Sequence, residues 1–105
     1  MGEKRYNKLV RDKIIEIIEA DNKDAGYRIV SGEEYKEYLV TKLQEEVNEF
    51  KEEQNIEELA DILEVIEGLL DILRIDWDEL FEIKQKKKED RGGFKKGIIL
   101  KKVIE

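Results

Sequence analysis

The sequence of 105 residues contains no cysteine, no histidine and no proline. The lack of cysteine excludes disulfides, thiol nucleophiles and thiolate zinc sites. The lack of histidine excludes Ser-His-Asp catalysis, histidine bases and the His-containing di-iron sites of helical bundles. The chemistry of this chain is therefore left to carboxylates, lysine, arginine, hydroxyls and a bound metal ion.

Long apolar segments are also missing. No run of about 18 apolar residues exists, so we expect no membrane-spanning helix. The first residues, MGEKRYNK, contain no hydrophobic signal region, and we therefore expect a cytoplasmic protein rather than a secreted one. The length suits one compact domain, residues 1–105.

The charge balance is acidic, with a formal net charge of −7 and 45% charged residues. General nucleic-acid binders need a basic face, so we expect no stable complex with nucleic acid. Basic side chains concentrate in two places, residues 3–13 and residues 84–91. Both segments are suited to bind phosphate, although each is also explained by a solvated helix start or by cations at a helix C-terminus.

The hydrophobic pattern predicts an all-α chain. We expect helices over residues 14–20 and 32–53, a third that starts near Asn55 and ends near Arg74, and a fourth that is capped by Asp76 and ends at Gly92-Gly93. Ser31, followed by Glu34, resembles a capping box. Residues 27–30 and 98–104 are expected to be short extended pieces, and pairing between them would be marginal.

Two acidic pairs dominate the middle of the chain. Glu46 and Glu49 lie three residues apart in one predicted helix, and Glu58 and Asp61 lie three apart in the next, so each pair shares a helix face. If the two helices pack antiparallel, the four carboxylates converge, and a divalent cation compensates their repulsion. Oxygen ligands suit Mg²⁺ or Mn²⁺. In an acid-rich chain, however, such pairs also arise as solvated faces.

Helical periodicity adds weight to the first pair. At about 100° per residue, Glu46 falls within the apolar stripe of Leu39, Leu43, Val47 and Phe50, where a core residue is expected. The following helix is apolar over most of its circumference, which indicates a central helix or one covered by another subunit. We therefore expect a homo-oligomer.

This arrangement of acids and bases allows one reaction class, the hydrolysis of a phosphoanhydride. The metal would hold phosphates, and a non-ligating acid such as Glu45 or Glu53 would orient the attacking water. Neither a P-loop nor a GxGxxG motif is present, so a nucleotide site of either of those kinds is excluded.

The sequence resembles a known family at these motifs. EEVNE at residues 45–49, followed by EELAD at residues 57–61, resembles the MazG-like all-α nucleoside triphosphate pyrophosphohydrolases, relatives of dimeric dUTPases and phosphoribosyl-ATP pyrophosphohydrolase. The opening YNKLVRDKI at residues 6–14 and the closing RGGF at residues 91–94 resemble a small single-domain subgroup described as phosphoribosyl-ATP pyrophosphohydrolase-like. Ile15 stands where that subgroup commonly has proline.

The resemblance implies a four-helix MazG-like bundle with a short extended C-terminal tail, assembled as a homodimer or larger oligomer. It implies Mg²⁺-dependent hydrolysis between the α and β phosphates, which gives a nucleoside monophosphate and pyrophosphate, with Mn²⁺ as a possible substitute and non-canonical nucleotides as a possible substrate class. Glu45 and Glu46 are the expected catalytic residues. The expected metal ligands are Glu46, Glu49, Glu58 and Asp61, and the expected substrate contacts are Lys8, Arg11, Lys13, Lys88 and Arg91.

Two alternatives remain open from the sequence. One is a non-catalytic helical protein that binds a metal or a nucleotide at the same acids. The other is an interaction module that assembles through the second acidic helix.

Overall fold

The computed structural model describes residues 2–105, which form four α-helices joined by turns and irregular segments. The helices are α1 (Ile14–Ala20), α2 (Gly32–Glu53), α3 (Ile56–Leu73) and α4 (Trp77–Arg91). No strand occurs among residues 2–105. The predicted all-α class with four helices is therefore confirmed, and residues 27–30 and 98–104 have no regular secondary structure.

The described chain divides into two compact units. Residues 2–74 form the first and contain α1, α2 and α3, and residues 75–105 form the second with α4 and the C-terminal segment. In the first unit α2 packs against α3. Since only Gln54 and Asn55 connect these two helices, they run antiparallel. In the second unit the rings of Trp77 and Phe81 stack with their centroids 5.4 Å apart.

Side-chain caps fix where α3 and α4 begin. The backbone N–H of Glu58 donates to Asn55 Oδ1 at 3.1 Å, and that of Glu79 donates to Asp76 Oδ1 at 2.8 Å. Each bond satisfies one of the backbone donors that a helix start leaves without a partner. Both predicted N-caps are thus confirmed. Gln54 closes the end of α2 in the left-handed region, with φ 49°.

The start of α2 is held in a different way from the one expected. Ser31 occupies the N-cap position, but its side chain makes no capping hydrogen bond. Instead, the guanidinium of Arg28 donates to both carboxylate oxygens of Glu34, at 3.1 and 2.8 Å. This bidentate pair occupies the Glu34 carboxylate that a capping box would use, and it lowers the pKa of Glu34. The helix start was predicted correctly, and the capping box was wrong.

The core of the first unit lies along the seam between α2 and α3. Leu39 is 4% exposed, and Val65 and Leu70 are each 7% exposed. Gly68 permits the close approach of the two helices, because a Cβ atom at this position would lie 2.9 Å from Cδ2 of Leu39. The seam therefore depends on a large side chain of α2 that fills the space above a glycine of α3.

We predict that Leu39→Ala lowers the free energy of unfolding by about 3 kcal/mol, because it removes buried methyl groups and leaves a cavity against Gly68. Urea unfolding measures the change. Val40→Ala, at the neighbouring exposed position, is the matched control and should change stability by no more than about 0.5 kcal/mol. Equal effects of the two substitutions would show that the seam is not the core of this unit.

Candidate functional site

Glu46 is a carboxylate at a core position of α2. It is 9% exposed, the only polar or charged residue counted as buried among residues 2–105. This confirms the expectation from helical periodicity that Glu46 lies in the apolar stripe. A buried carboxylate is costly unless it is paired or bound to a cation, so its surroundings determine its role.

Three carboxylates converge at one end of the α2–α3 seam. Glu46 projects from α2, and Glu58 and Asp61 project from the first two turns of α3, with one oxygen of each residue within 4.8 Å of the others. We call these three residues the acid cluster. The capping bond of Asn55 sets the start of α3 and thereby places Glu58 and Asp61 opposite Glu46.

Glu49, the fourth predicted ligand, is not among the residues brought together. It is exposed on α2. It nevertheless lies near enough that its charge acts on Glu58, whose pKa is raised by burial first and then by the charges of Asp61, Glu49 and Glu46. The cluster thus contains an unfavourable concentration of negative charge.

The cluster's donor set fits a hard divalent cation. Mg²⁺ binds oxygen ligands at about 2.0–2.1 Å, so ligand atoms on opposite sides of the ion are about 4.2 Å apart. Neighbouring ligands of an octahedral Mg²⁺ ion lie about 2.9 Å apart, so metal binding would draw together the three oxygens, which lie within 4.8 Å of one another in the cluster. All three donors are carboxylates, which suit Mg²⁺, Mn²⁺ or Ca²⁺ and not a soft metal.

Arg11 connects the basic N-terminal segment to the acid cluster. Its Nη2 donates to Asp61 Oδ1 at 2.7 Å, and its Nη1 lies 4.0 Å from Glu64 Oε1. The Arg11 side chain is 56% exposed. Of the five predicted basic contacts, this one is in direct contact with a cluster carboxylate.

Lys42 was missed by the sequence analysis. Its Nζ lies 3.4 Å from Glu45 Oε2 and 3.4 Å from Glu46 Oε1, and its side chain is only 19% exposed. The signal available in the sequence was spacing, because Lys42 precedes Glu46 by four residues and so shares its helix face. Lys42 is the counter-ion of the most buried carboxylate of the cluster.

A cleft of about 480 Å³ lies beside these groups. Its walls are residues 9–13 of the N-terminal segment, one face of α2 and one face of α3, and both Glu46 and Asp61 line it. Arg11, Lys13 and Lys42 line it as well. Tyr35 contributes an aromatic ring, and burial together with the nearby charges of Asp71 and Asp12 raises the pKa of its hydroxyl. Cations and carboxylates thus share one concave surface.

The other predicted site residues are placed as follows. Glu45 is partly exposed and bonded to Lys42. The ammonium of Lys8 lies 5.6 Å from the centroid of the Tyr6 ring. Lys13 precedes α1 and lines the cleft. Lys88 and Arg91 lie exposed in the last turn of α4, in the unit of residues 75–105.

Comparisons of the chain with family models, with curated proteins and with solved structures found no match. Among the described residues, no helix has both the length and the apolar character that a membrane crossing requires.

We predict that Glu58→Gln raises the melting temperature in the absence of divalent cations. The raised pKa means that the folded protein resists ionisation of Glu58 more than the unfolded chain does. Ionised Glu58 therefore destabilises the fold at neutral pH, and this penalty decreases as the pH falls through its folded pKa and is gone below its unfolded pKa. The melting temperatures of the variant and the wild type should accordingly differ most at pH 7 and become equal in acid.

Glu57→Gln, one residue earlier and exposed, is the control for this measurement. It should leave both the melting temperature and its pH dependence nearly unchanged. A Glu58→Gln protein that is less stable than the wild type at pH 7 would contradict the electrostatic account of the cluster.

Proposed function

We propose that this protein is a Mg²⁺-dependent nucleotide pyrophosphohydrolase that cleaves between the α and β phosphates and releases a nucleoside monophosphate and pyrophosphate. The observation that supports it most is the convergence of Glu46, Glu58 and Asp61 from two helices within 4.8 Å. The resemblance of the EEVNE and EELAD motifs to the MazG-like enzymes supplies the reaction. A cytoplasmic location is part of the same proposal.

In this proposal the acid cluster holds the metal, with Glu49 as a further ligand within reach of Glu58. Bound Mg²⁺ would neutralise phosphate charge and polarise the phosphoryl oxygen. Glu45 lies next to Glu46 and remains outside the cluster, so it is the residue that would orient the attacking water and accept its proton. In the metal-free protein its carboxylate is held by a hydrogen bond from Lys42.

The cleft would hold the phosphate chain and the nucleoside. Arg11, Lys13 and Lys42 line it and would donate hydrogen bonds to phosphate oxygens. Lys8, Lys88 and Arg91 stay proposed substrate contacts from the resemblance alone. Tyr35 lines the same cleft and offers its ring to the uncharged part of a ligand.

We expect Glu46→Gln and Asp61→Asn to reduce pyrophosphate release from nucleoside triphosphates in Mg²⁺ by about a hundredfold or more, because the loss of a ligand removes several kcal/mol of transition-state stabilisation. The assay should cover canonical and modified triphosphates. Glu52→Gln and Glu57→Gln, exposed on the same two helices, are matched controls that should retain activity.

Two results would count against the proposal. If the wild type releases no pyrophosphate from any substrate with Mg²⁺ or Mn²⁺, catalysis is refuted. Stabilisation by a nucleotide that requires the metal, without turnover, would then identify a metal- and nucleotide-binding protein. Activity that survives both Glu46→Gln and Asp61→Asn would place the reaction elsewhere.

Assembly as a homo-oligomer belongs to the same proposal. Only three apolar side chains are buried in the described chain. On α3, Ile56, Leu59, Leu63 and Leu73 are each 48–78% exposed. Covering this face with a second copy would remove apolar surface from water.

We therefore expect light scattering at micromolar concentration to give at least the mass of a dimer, and we expect Leu63→Lys to shift the protein toward monomer. Ile29→Lys, at an 89% exposed position outside the helices, is the control and should leave the mass unchanged. A monomeric wild type would refute the assembly.

A further inference from the structure

Each of two cations in the cleft forms an ion pair with a carboxylate that the proposed metal would need. Arg11 donates to Asp61 at 2.7 Å, and Lys42 lies 3.4 Å from Glu46. Both cations line the same cleft as the carboxylates they contact. They come from different elements, the N-terminal segment and α2, so the two contacts are independent observations.

We propose that Arg11 and Lys42 are exchangeable counter-ions of the acid cluster, which a divalent cation releases to bind the phosphates of a ligand in the cleft. This inference rests on the proposed metal site. It adds roles that the EEVNE and EELAD motifs do not assign. Lys42 becomes a phosphate contact, and Arg11 becomes a group with two alternative partners.

The physical reason is competition for the same oxygens. A metal ligand must approach the ion to about 2.1 Å, and the ion's two positive charges then repel an ammonium or guanidinium bonded to that carboxylate. Once the cluster is neutralised by the metal, Arg11 and Lys42 lose their attraction to it. A phosphate chain in the cleft offers each of them a new anionic partner.

This exchange predicts coupled binding. In the metal-free protein the two cations are occupied by Asp61 and Glu46, so a phosphate-bearing ligand meets a cleft with little available positive charge. With metal bound, the same ligand meets the ion and two cations that the acid cluster no longer holds. By linkage, the ligand must strengthen metal binding by the same factor.

The experiment measures Mn²⁺ binding by calorimetry and then the binding of an α,β-methylene nucleoside triphosphate, which cannot be cleaved at the proposed bond. The variants are Arg11→Gln, on an exposed side chain that poses little risk to folding, and Lys42→Gln. The controls are Arg5→Gln and Lys36→Gln, whose ion pairs with Glu3 and Glu33 lie outside the cluster.

We expect both variants to bind Mn²⁺ about tenfold more tightly than the wild type, because a competitor is removed, and to bind the nucleotide analogue about tenfold more weakly when Mn²⁺ is present. The two controls should match the wild type in both measurements. Unchanged or weaker Mn²⁺ binding in the variants would overturn the competition. Unchanged analogue binding would overturn the transfer to phosphate.

NMR of the Arg11 guanidinium distinguishes displacement of Arg11 from a simple field effect of its charge, because a guanidinium bonded to a carboxylate rotates slowly about its Nε–Cζ bond. In the wild type, where Nη2 of Arg11 is bonded to Asp61, Mg²⁺ should speed up this rotation, and the analogue should slow it again. Rotation that Mg²⁺ does not speed up would show that the metal leaves the Arg11 contact in place, against the inference.

Failure of this inference can be told apart from failure of the proposed function. If the wild type binds no Mn²⁺, the metal site itself is refuted. If the wild type binds Mn²⁺ and releases pyrophosphate, but the variants bind Mn²⁺ more weakly or the analogue more tightly than the wild type, the function stands. Only the exchange of counter-ions is then overturned.

Discussion

Repulsion among the carboxylates of Glu46, Glu58 and Asp61 is the constraint on which the rest of the first unit depends. Two helices packed around Leu39 and Gly68 hold these groups within 4.8 Å of one another. Burial and neighbouring charge raise the pKa of Glu58, so the packing that stabilises the seam also concentrates negative charge at one end of it. Such a site needs nearby positive charge to offset the repulsion.

The N-terminal segment and Lys42 meet that requirement within the chain. Arg11 reaches Asp61, and Lys42 reaches both Glu45 and Glu46. The Arg11 contact accompanies the placement of residues 9–13 along the wall of the cleft. A basic segment in a protein with a net charge of −7 is thereby explained by the site it faces, and the same cations suit the phosphates of the proposed substrate.

Local signals made much of the fold predictable. Asn55 and Asp76 are caps whose bonds form within three residues, so the helix starts could be derived from sequence, and periodicity placed Glu46 in the core. The capping role of Ser31 failed because Arg28, outside the helix, captures Glu34. Lys42 was missed although its partners Glu45 and Glu46 lie on the same helix and spacing alone could have indicated them. Tyr35 was missed because its role depends on what α3 and residues 9–13 place opposite it, and no local pattern encodes those contacts. For the same reason Glu49 could not be separated from the other three acids by spacing alone.

The proposed function requires that the acid cluster binds a divalent cation. The most direct test is a crystal grown with Mn²⁺ and measured for anomalous scattering. We expect an anomalous peak within ligand distance of Glu46, Glu58 and Asp61, with the side chains of Arg11 and Lys42 turned away from it. A cluster without a peak at saturating Mn²⁺, with Arg11 still bonded to Asp61, would contradict the account.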